Sequence, residues 1–314
     1  MTDSAQGHIP VMVGEVLAAL SPRDTDTVID GTYGAGGHSL ALLSHVTKGR
    51  LVGIERDPWV LRRGRARLER EAPDAASRVD LVHGSFADLE DTLRDLGLDG
   101  FDVGLLDLGI NSLQVDEGGR GFHRDDETLD LRFDPTDEMT TDAATALSTW
   151  SERALADALH ELGGERLSRP IARAIVRRRE QGRQVTTAQE LAALVAGVYR
   201  RHGIRRQRIH PVTRTAQGLR MVINDELGHL ERGLTAFLRS MRPGARFAVL
   251  TFHSGEARVV KRAFRAAVKG EHADLPEGML FDWIHRGAVK PSREEIQANT
   301  RARSCQLRAL RRVA

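Results

Sequence analysis

The run Val28-Ile29-Asp30-Gly31-Thr32-Tyr33-Gly34-Ala35-Gly36-Gly37-His38 constrains the fold more than any other part of the chain. Thr27 to Asp30 is short and β-rich, as a buried strand requires, and Ser39 to Val46 reads as a helix. The turn between them is rich in glycine, which reaches positive φ and leaves no Cβ between backbone and ligand. The helix that follows presents its free amides to the same spot. A tight strand-to-helix turn needs glycine for packing alone, so the turn by itself does not establish a ligand. The next strand, Arg50 to Glu55, adds a second sign. It ends in a carboxylate about twenty residues on, where both ribose hydroxyls of an adenosine can be accepted.

The alternation continues along the first third. Val11 to Leu20 reads as a helix stopped by Ser21-Pro22, and Pro58 suits the first position of a later one. Val79 to Val82 is a third strand, Phe86 to Leu96 a helix, and Phe101 to Leu106 a fourth strand ending in Asp107. This order implies an α/β fold with a mostly parallel sheet covered on both faces. Residues 111 to 138 break the rhythm with few apolar positions and read as a long loop. From about 140 to 203 the pattern is helical only. Ala154, Leu155, Ala158, Leu159 and Leu162 share one face, Gly163-Gly164 is a stop, and Thr187 with Glu190 makes a capping box. A long helix is expected from Val212 to Arg242, stopped by Pro243-Gly244, then a strand over Arg246 to Phe252. The expected division is a core of 1–112 and 206–314, with 113–205 inserted as an acidic loop plus helical segment for substrate recognition.

Composition removes several classes. Hydrophobic residues make up 40% of 314, enough for a sizeable core, and the longest apolar runs fall far short of a membrane span. MTDSAQGHIP carries no secretory pattern, and the single Cys305 has no internal disulfide partner, so a reducing, cytoplasmic location is expected. One cysteine and scattered histidines offer no ligand spacing, and no metal is expected. Net charge is only +2, but the charges are clustered. Tyr199 to Arg220 holds seven arginines and no acid, and Asp116 to Asp142 holds ten acids against three arginines. Clustered arginine suggests a phosphate-bearing partner. The basic tail (Arg301, Arg303, Arg308, Arg311 and Arg312) suggests the same. Both stretches also fit solvated faces of an arginine-rich chain.

Two cofactor classes share the glycine-turn layout. A nicotinamide dinucleotide wants G-x-G-x-x-G, and here Ser39 stands in the last place. S-adenosylmethionine wants an acid ahead of the glycines, an acid or amide after the third strand for the adenine, and a polar residue ending the fourth. Asp30 and Asp107 supply the first and last, Glu55 ends the second strand, Gly84-Ser85-Phe86 offers a turn and an aromatic face, and Gly34, Gly36 and Gly37 line the glycine turn. The set favours S-adenosylmethionine.

With these residues in place the chain resembles the MraW-type methyltransferases, the ribosomal RNA small-subunit methyltransferase H family, over nearly its whole length. The resemblance runs through His8-Ile9-Pro10-Val11, the glycine turn and Asp107-Leu108-Gly109-Ile110-Asn111-Ser112. It continues through Arg120-Gly121-Phe122, Leu129 to Pro135, Gly164-Glu165-Arg166 and His210 to Thr215. The last stretches are Val222 to Leu227, Phe252-His253-Ser254 and Asn299 to Ser304. It implies a class I S-adenosylmethionine-dependent methyltransferase fold, Rossmann-like, with an inserted helical domain. It also implies N4-methylation of a cytidine in the decoding region of 16S rRNA, with the small ribosomal subunit as partner. Family cofactor positions carry over onto Gly36, Gly37, His38, Glu55, Phe86, Asp107 and Gln114. Glu55 replaces a more usual Asp, and Asn111, Leu113, Glu127, Gly255 and Ala257 also depart from the usual pattern.

A cytosine N4 amine is a poor nucleophile because its lone pair is delocalised into the ring. Acceptors that orient it in a dry pocket help. Asp107, Asn111 and Ser112, at the end of the fourth strand, are the candidate catalytic residues. Phe122 is the candidate stacking partner for the base, since no Pro-Pro-aromatic run follows the strand. Asp130, Arg132, Arg205, Arg206, Arg208, Arg214 and His253 are candidate substrate residues. Two other readings stay open: a methyltransferase for a small cytosine-containing metabolite, and a non-catalytic RNA-binding assembly factor that kept the fold.

Overall fold

The computed structural model describes residues 10–116, 119–204 and 209–314. They form two units: the chain up to Asn111 together with Leu227–Ala314, and Ser112–Glu226. The second unit thus extends to Glu226, beyond the expected boundary at 205.

The first unit is built on seven strands: β1 (Thr27–Asp30), β2 (Arg50–Glu55), β3 (Val79–His83), β4 (Phe101–Asp107), β5 (Met241–Thr251), β6 (Phe281–Trp283) and β7 (Gln306–Arg312). Their order is β3-β2-β1-β4-β5-β7-β6. The first five pair in parallel, and β7 runs antiparallel to both β5 and β6. Ile29 of β1 lies opposite Val52 and Gly104, so the central strands are apolar on both faces, as in a covered parallel sheet. One apolar layer gathers Phe101, Phe237, Phe247 and Phe264, with Phe237 stacked on Phe247 at 4.7 Å between ring centroids. The opposite layer holds Val28, Leu51, Leu105 and Leu250. The helices α1 (Val13–Leu20), α2 (Gly37–Leu43), α3 (Pro58–Glu71) and α4 (Leu89–Asp95) belong to this unit. Chain order reverses between β1 and β4, and in open α/β sheets a ligand crevice opens at the carboxyl ends of the strands at such a point.

Three features differ from the sequence reading. Arg308, Arg311 and Arg312 of the basic tail lie on β7, inside the sheet, where Leu307, Ala309 and Leu310 are buried, Arg311 pairs with Asp282 at 3.2 Å and Arg312 donates to the Met241 carbonyl, while Arg301 and Arg303 precede the strand and are exposed. Strand β5 begins at Met241, and the ladder jumps from Phe101–Met241 to Val103–Arg246, so Pro243-Gly244 is accommodated inside an irregular strand. The long helix is two. Six helices fall in the second unit, α5 (Ser112–Asp116), α6 (Ala143–Thr149), α7 (Glu152–Glu161), α8 (Ser168–Glu180), α9 (Ala188–Arg201) and α10 (Val212–Ile223). The chain breaks at Asn224-Asp225, where Asp225 has φ 46°, before α11 (Glu226–Ser240). The remaining helices are α12 (Ser254–Lys269) and α13 (Arg293–Ala298).

The second unit has its own core, with Leu155, Leu159, Ile171, Ile175, Leu191, Val195 and Leu219 buried together. Three of its helices, α6, α7 and α9, start where side-chain caps dictate. The side chains of Asp142, Ser151 and Thr187 accept from Thr145, Ala154 and Glu190 amides, and Glu190 reaches back to the Thr186 amide at 2.9 Å. Asn224 explains the break after α10. It is 1% exposed, and its side chain accepts from Phe133 N at 2.7 Å and donates to the Leu131 and Arg220 carbonyls at 2.7 and 2.8 Å. This clasp holds Leu131 at φ 63°, a strained left-handed conformation for a leucine.

Candidate active site

Asp30, Glu55 and Asp107 end three neighbouring parallel strands, and the glycine turn lies among them. Each acid is tied into the turn. Asp30 is buried; Thr32 N donates to its Oδ1 at 3.1 Å and Ser39 Oγ to its Oδ2 at 2.7 Å. Burial pushes its carboxyl above the ordinary value, with Ser39 acting against that. Glu55 accepts from Gly34 N at 2.9 Å and from Asp57 N at 2.8 Å, one bond per carboxylate oxygen. Burial drives it up to about 7, and the two amides moderate the shift. Each oxygen retains a further lone pair for a hydroxyl donor.

Gly34 shows why the turn needs glycine. It has φ 56°, and a Cβ there would stand 2.5 Å from Nδ2 of Asn111. Its amide faces Glu55 while its missing side chain makes room for Asn111, so one residue couples the ends of β2 and β4. Gly36, at φ 77°, makes room for the Tyr33 hydroxyl in the same way. Asp107 is joined to the turn through its backbone, which donates to Thr32 Oγ1 at 2.6 Å. Its Oδ2 lies 3.4 Å from Nδ1 of His38, and its Oδ1 is buried with no hydrogen-bond partner among the described residues. A buried acceptor without a donor calls for one from a ligand. Thr32, which sequence reasoning passed over, is the link between turn and fourth strand.

Other positions of this unit are more committed to the fold. The His38 ring is 6% exposed, and its Nε2 lies 2.9 Å from the Val11 carbonyl, so the imidazole is engaged on both nitrogens. Phe86 is half-buried with its ring on α11, where a Cβ on Gly233 would stand 2.3 Å from it. His253 caps α12: its Nδ1 accepts from Glu256 N at 3.3 Å, its Nε2 lies 3.0 Å from Glu256 Oε1, and Glu256 Oε2 accepts from His253 N at 3.2 Å. The geometry gives His253 a capping role.

The remaining candidates belong to the second unit. Ser112 and Gln114 are buried on α5, immediately after Asn111 in the chain. Phe122 stacks on Phe133 at 6.1 Å and 11°, with the Arg120 guanidinium 5.4 Å from its centroid, so the ring expected to stack on a base already has aromatic and cationic neighbours. Asp130 and Arg132 bind each other through two hydrogen bonds of 2.7 and 3.0 Å, and Arg132 also donates to the Asp137 and Thr140 carbonyls. Both side chains brace the acidic loop. Arg214 is half-buried on α10. Arg205, Arg206 and Arg208 lie outside the described residues. Glu165 was missed as a structural hub: it is fully buried and accepts from Tyr199 Oη at 2.6 Å, Leu167 N at 2.9 Å and Thr215 Oγ1 at 3.4 Å.

No helix among the described residues is long and apolar enough to cross a membrane. Comparison with known proteins bears on the whole chain. The model of the MraW methylase family matches residues 5–313. A protein of Methylorubrum populi named ribosomal RNA small subunit methyltransferase H is 44% identical over 96% of this chain and 86% of its own. One of the same name from Paramagnetospirillum magneticum is 41% identical over 99% of this chain and 97% of its own. Among solved structures, a putative rRNA methylase from Clostridium thermocellum aligns over 97% of this chain and 99% of its own, at 11% identity and a TM-score of 0.45.

Proposed function

The chain belongs to the MraW methylase family, and we propose that it methylates N4 of a cytidine in the decoding region of 16S rRNA, with S-adenosylmethionine as donor. The observation that carries this reading is the pair Glu55 and Asp107, ending β2 and β4 on either side of the glycine turn. The residues fit the cofactor. Glu55 has a spare lone pair on each oxygen for the ribose hydroxyls, and the orphaned Oδ1 of Asp107 awaits a donor. Asp30 holds the turn through Thr32 and Ser39, so its part is to shape the cradle from beneath. When bound, S-adenosylmethionine supplies an electrophilic methyl group on a sulfonium.

The chain's own task is then to hold an amine in line and accept from its N–H. Asp107 and Asn111 carry the acceptors, and orientation of this kind is worth several orders of magnitude in rate. The small-subunit substrate is supported by the names of the relatives, and the N4 atom by the family resemblance together with these acceptors. For RNA contact the second unit offers Arg169, Arg173 and Arg177, exposed along one face of α8, with Arg166 just before it. The test is nucleoside mass spectrometry of small ribosomal subunits incubated with the protein and S-adenosylmethionine. N4-methylcytidine is expected. Methyl on C5 or on ribose, or full activity on free cytidine, overturns the reading.

A further inference from the structure

The resemblance places His38 among cofactor contacts, but its surroundings assign it different work. The ring is buried; one nitrogen faces a carbonyl, which can only accept, and the other a carboxylate, which accepts when ionised. Nε2 lies 2.9 Å from the Val11 carbonyl, so it carries a hydrogen. Nδ1 lies 3.4 Å from Oδ2 of Asp107. A neutral ring has one N–H and one lone pair. In either tautomer that lone pair would point at the Val11 oxygen or at the carboxylate. With the Asp107 carboxylate ionised, only the doubly protonated ring donates to both neighbours.

We propose that His38 is a positioning residue of the methyl transfer, held as an imidazolium that fixes the Asp107 carboxylate as an acceptor toward the reacting amine. The proposal rests on the amine-methylation reading above. An Nδ1–H on His38 faces Oδ2 of Asp107 and aims the carboxylate. The groups facing the ring agree with this. Val11 contributes its carbonyl from the segment before α1, Asp107 comes from the end of β4, and Asp30 from the end of β1, its own carboxylate held by Thr32 and Ser39. Burial of the ring opposes its charge, but Asp107, the Val11 carbonyl and Asp30 outweigh that and raise it above the ordinary 6.5.

Nitrogen NMR of the full chain, labelled in its 12 histidines and assigned by correlation to the backbone, tests this without cofactor or substrate. Both His38 ring nitrogens are expected to be protonated at neutral pH, and D107N is expected to shift the titration to lower pH. A pyridine-type nitrogen on His38 at neutral pH, or an unchanged midpoint in D107N, overturns the proposal. With saturating cofactor, kcat of the wild type is expected to fall as pH rises through the same midpoint. H38Q is expected to lose about 10- to 100-fold in kcat, the scale for an orienting partner, and to lose that limb of the pH profile. If H38Q does not fold, the wild-type and D107N titrations still decide. Failure of the product assignment in nucleoside analysis leaves the NMR result untouched, so the two readings fail separately.

Discussion

Glu55 concentrates the tension of the site in one carboxylate. It is held by two backbone amides, yet burial still raises it to about 7. The folded chain therefore binds the Glu55 proton more tightly than the unfolded chain, whose ordinary value is 4.5. Between these values the folded state carries more protons, so unfolding free energy contributed by this group falls as pH rises through the window and stays lower above it. Glu55→Gln is expected to flatten that part of the profile, read as thermal unfolding followed from about pH 5 to about pH 8. Glu55→Ala is expected to weaken S-adenosylmethionine by about 1.5–3 kcal/mol, the worth of a charged acceptor, in calorimetry. Unchanged affinity in that variant would remove Glu55 from the cofactor site. Asn224 gives the corresponding prediction for structure. Asn224→Ala leaves Phe133 N and the Leu131 carbonyl without their partner and is expected to cost about 2–4 kcal/mol. The readout is urea unfolding together with lost amide protection at Leu131–Phe133.

At the scale of elements, α8 makes the sharpest claim. Arg169, Arg173 and Arg177 recur every fourth residue, about 6 Å apart along the axis, and all three are exposed. Arg173 reaches Glu152 at 3.4 Å, while Arg169 and Arg177 make no ion pair among the described residues. Changing all three to glutamine is expected to lower the salt slope of RNA binding by roughly 0.7 per lost single-strand contact, with cofactor affinity unchanged. An unaltered slope would mean a solvated face. The elements themselves were unevenly legible in the sequence. β1, β2 and β4 are mostly apolar and each ends in an acid, and a pattern set by local burial survives in one dimension. β7 does not read as a strand because Arg308, Arg311 and Arg312 interrupt Gln306 to Arg312. The break at Asn224 is invisible for a different reason: its cause is Leu131 and Phe133, roughly ninety residues earlier in the chain. The acids of the site were legible as strand ends. The commitment of His38 was not, because it depends on the Val11 carbonyl folding over the turn.

At the scale of the whole molecule, the two units carry different features of the proposed substrate recognition. The acids, the glycine turn and Asn111 belong to one unit, and the exposed arginine row of α8 belongs to the other. The chain passes between them only after Asn111 and after Glu226. An RNA, unlike a free nucleoside, carries a run of phosphates for exposed arginines to meet. Activity is therefore expected on assembled or partly assembled small subunits and to be lost on free cytidine. The kinetic constants should divide accordingly. Substitutions in the arginine row raise KM for the subunit and leave kcat near its original value. Asp107→Ala nearly abolishes kcat even at saturating S-adenosylmethionine. Asn111→Ala lowers kcat with little change in cofactor affinity, because its amide is assigned to the amine and not to the cofactor. An Asn111 variant that loses the cofactor as severely as Glu55→Ala would move Asn111 from the amine to the cofactor cradle, a reversal that the Gly34 contact makes chemically specific.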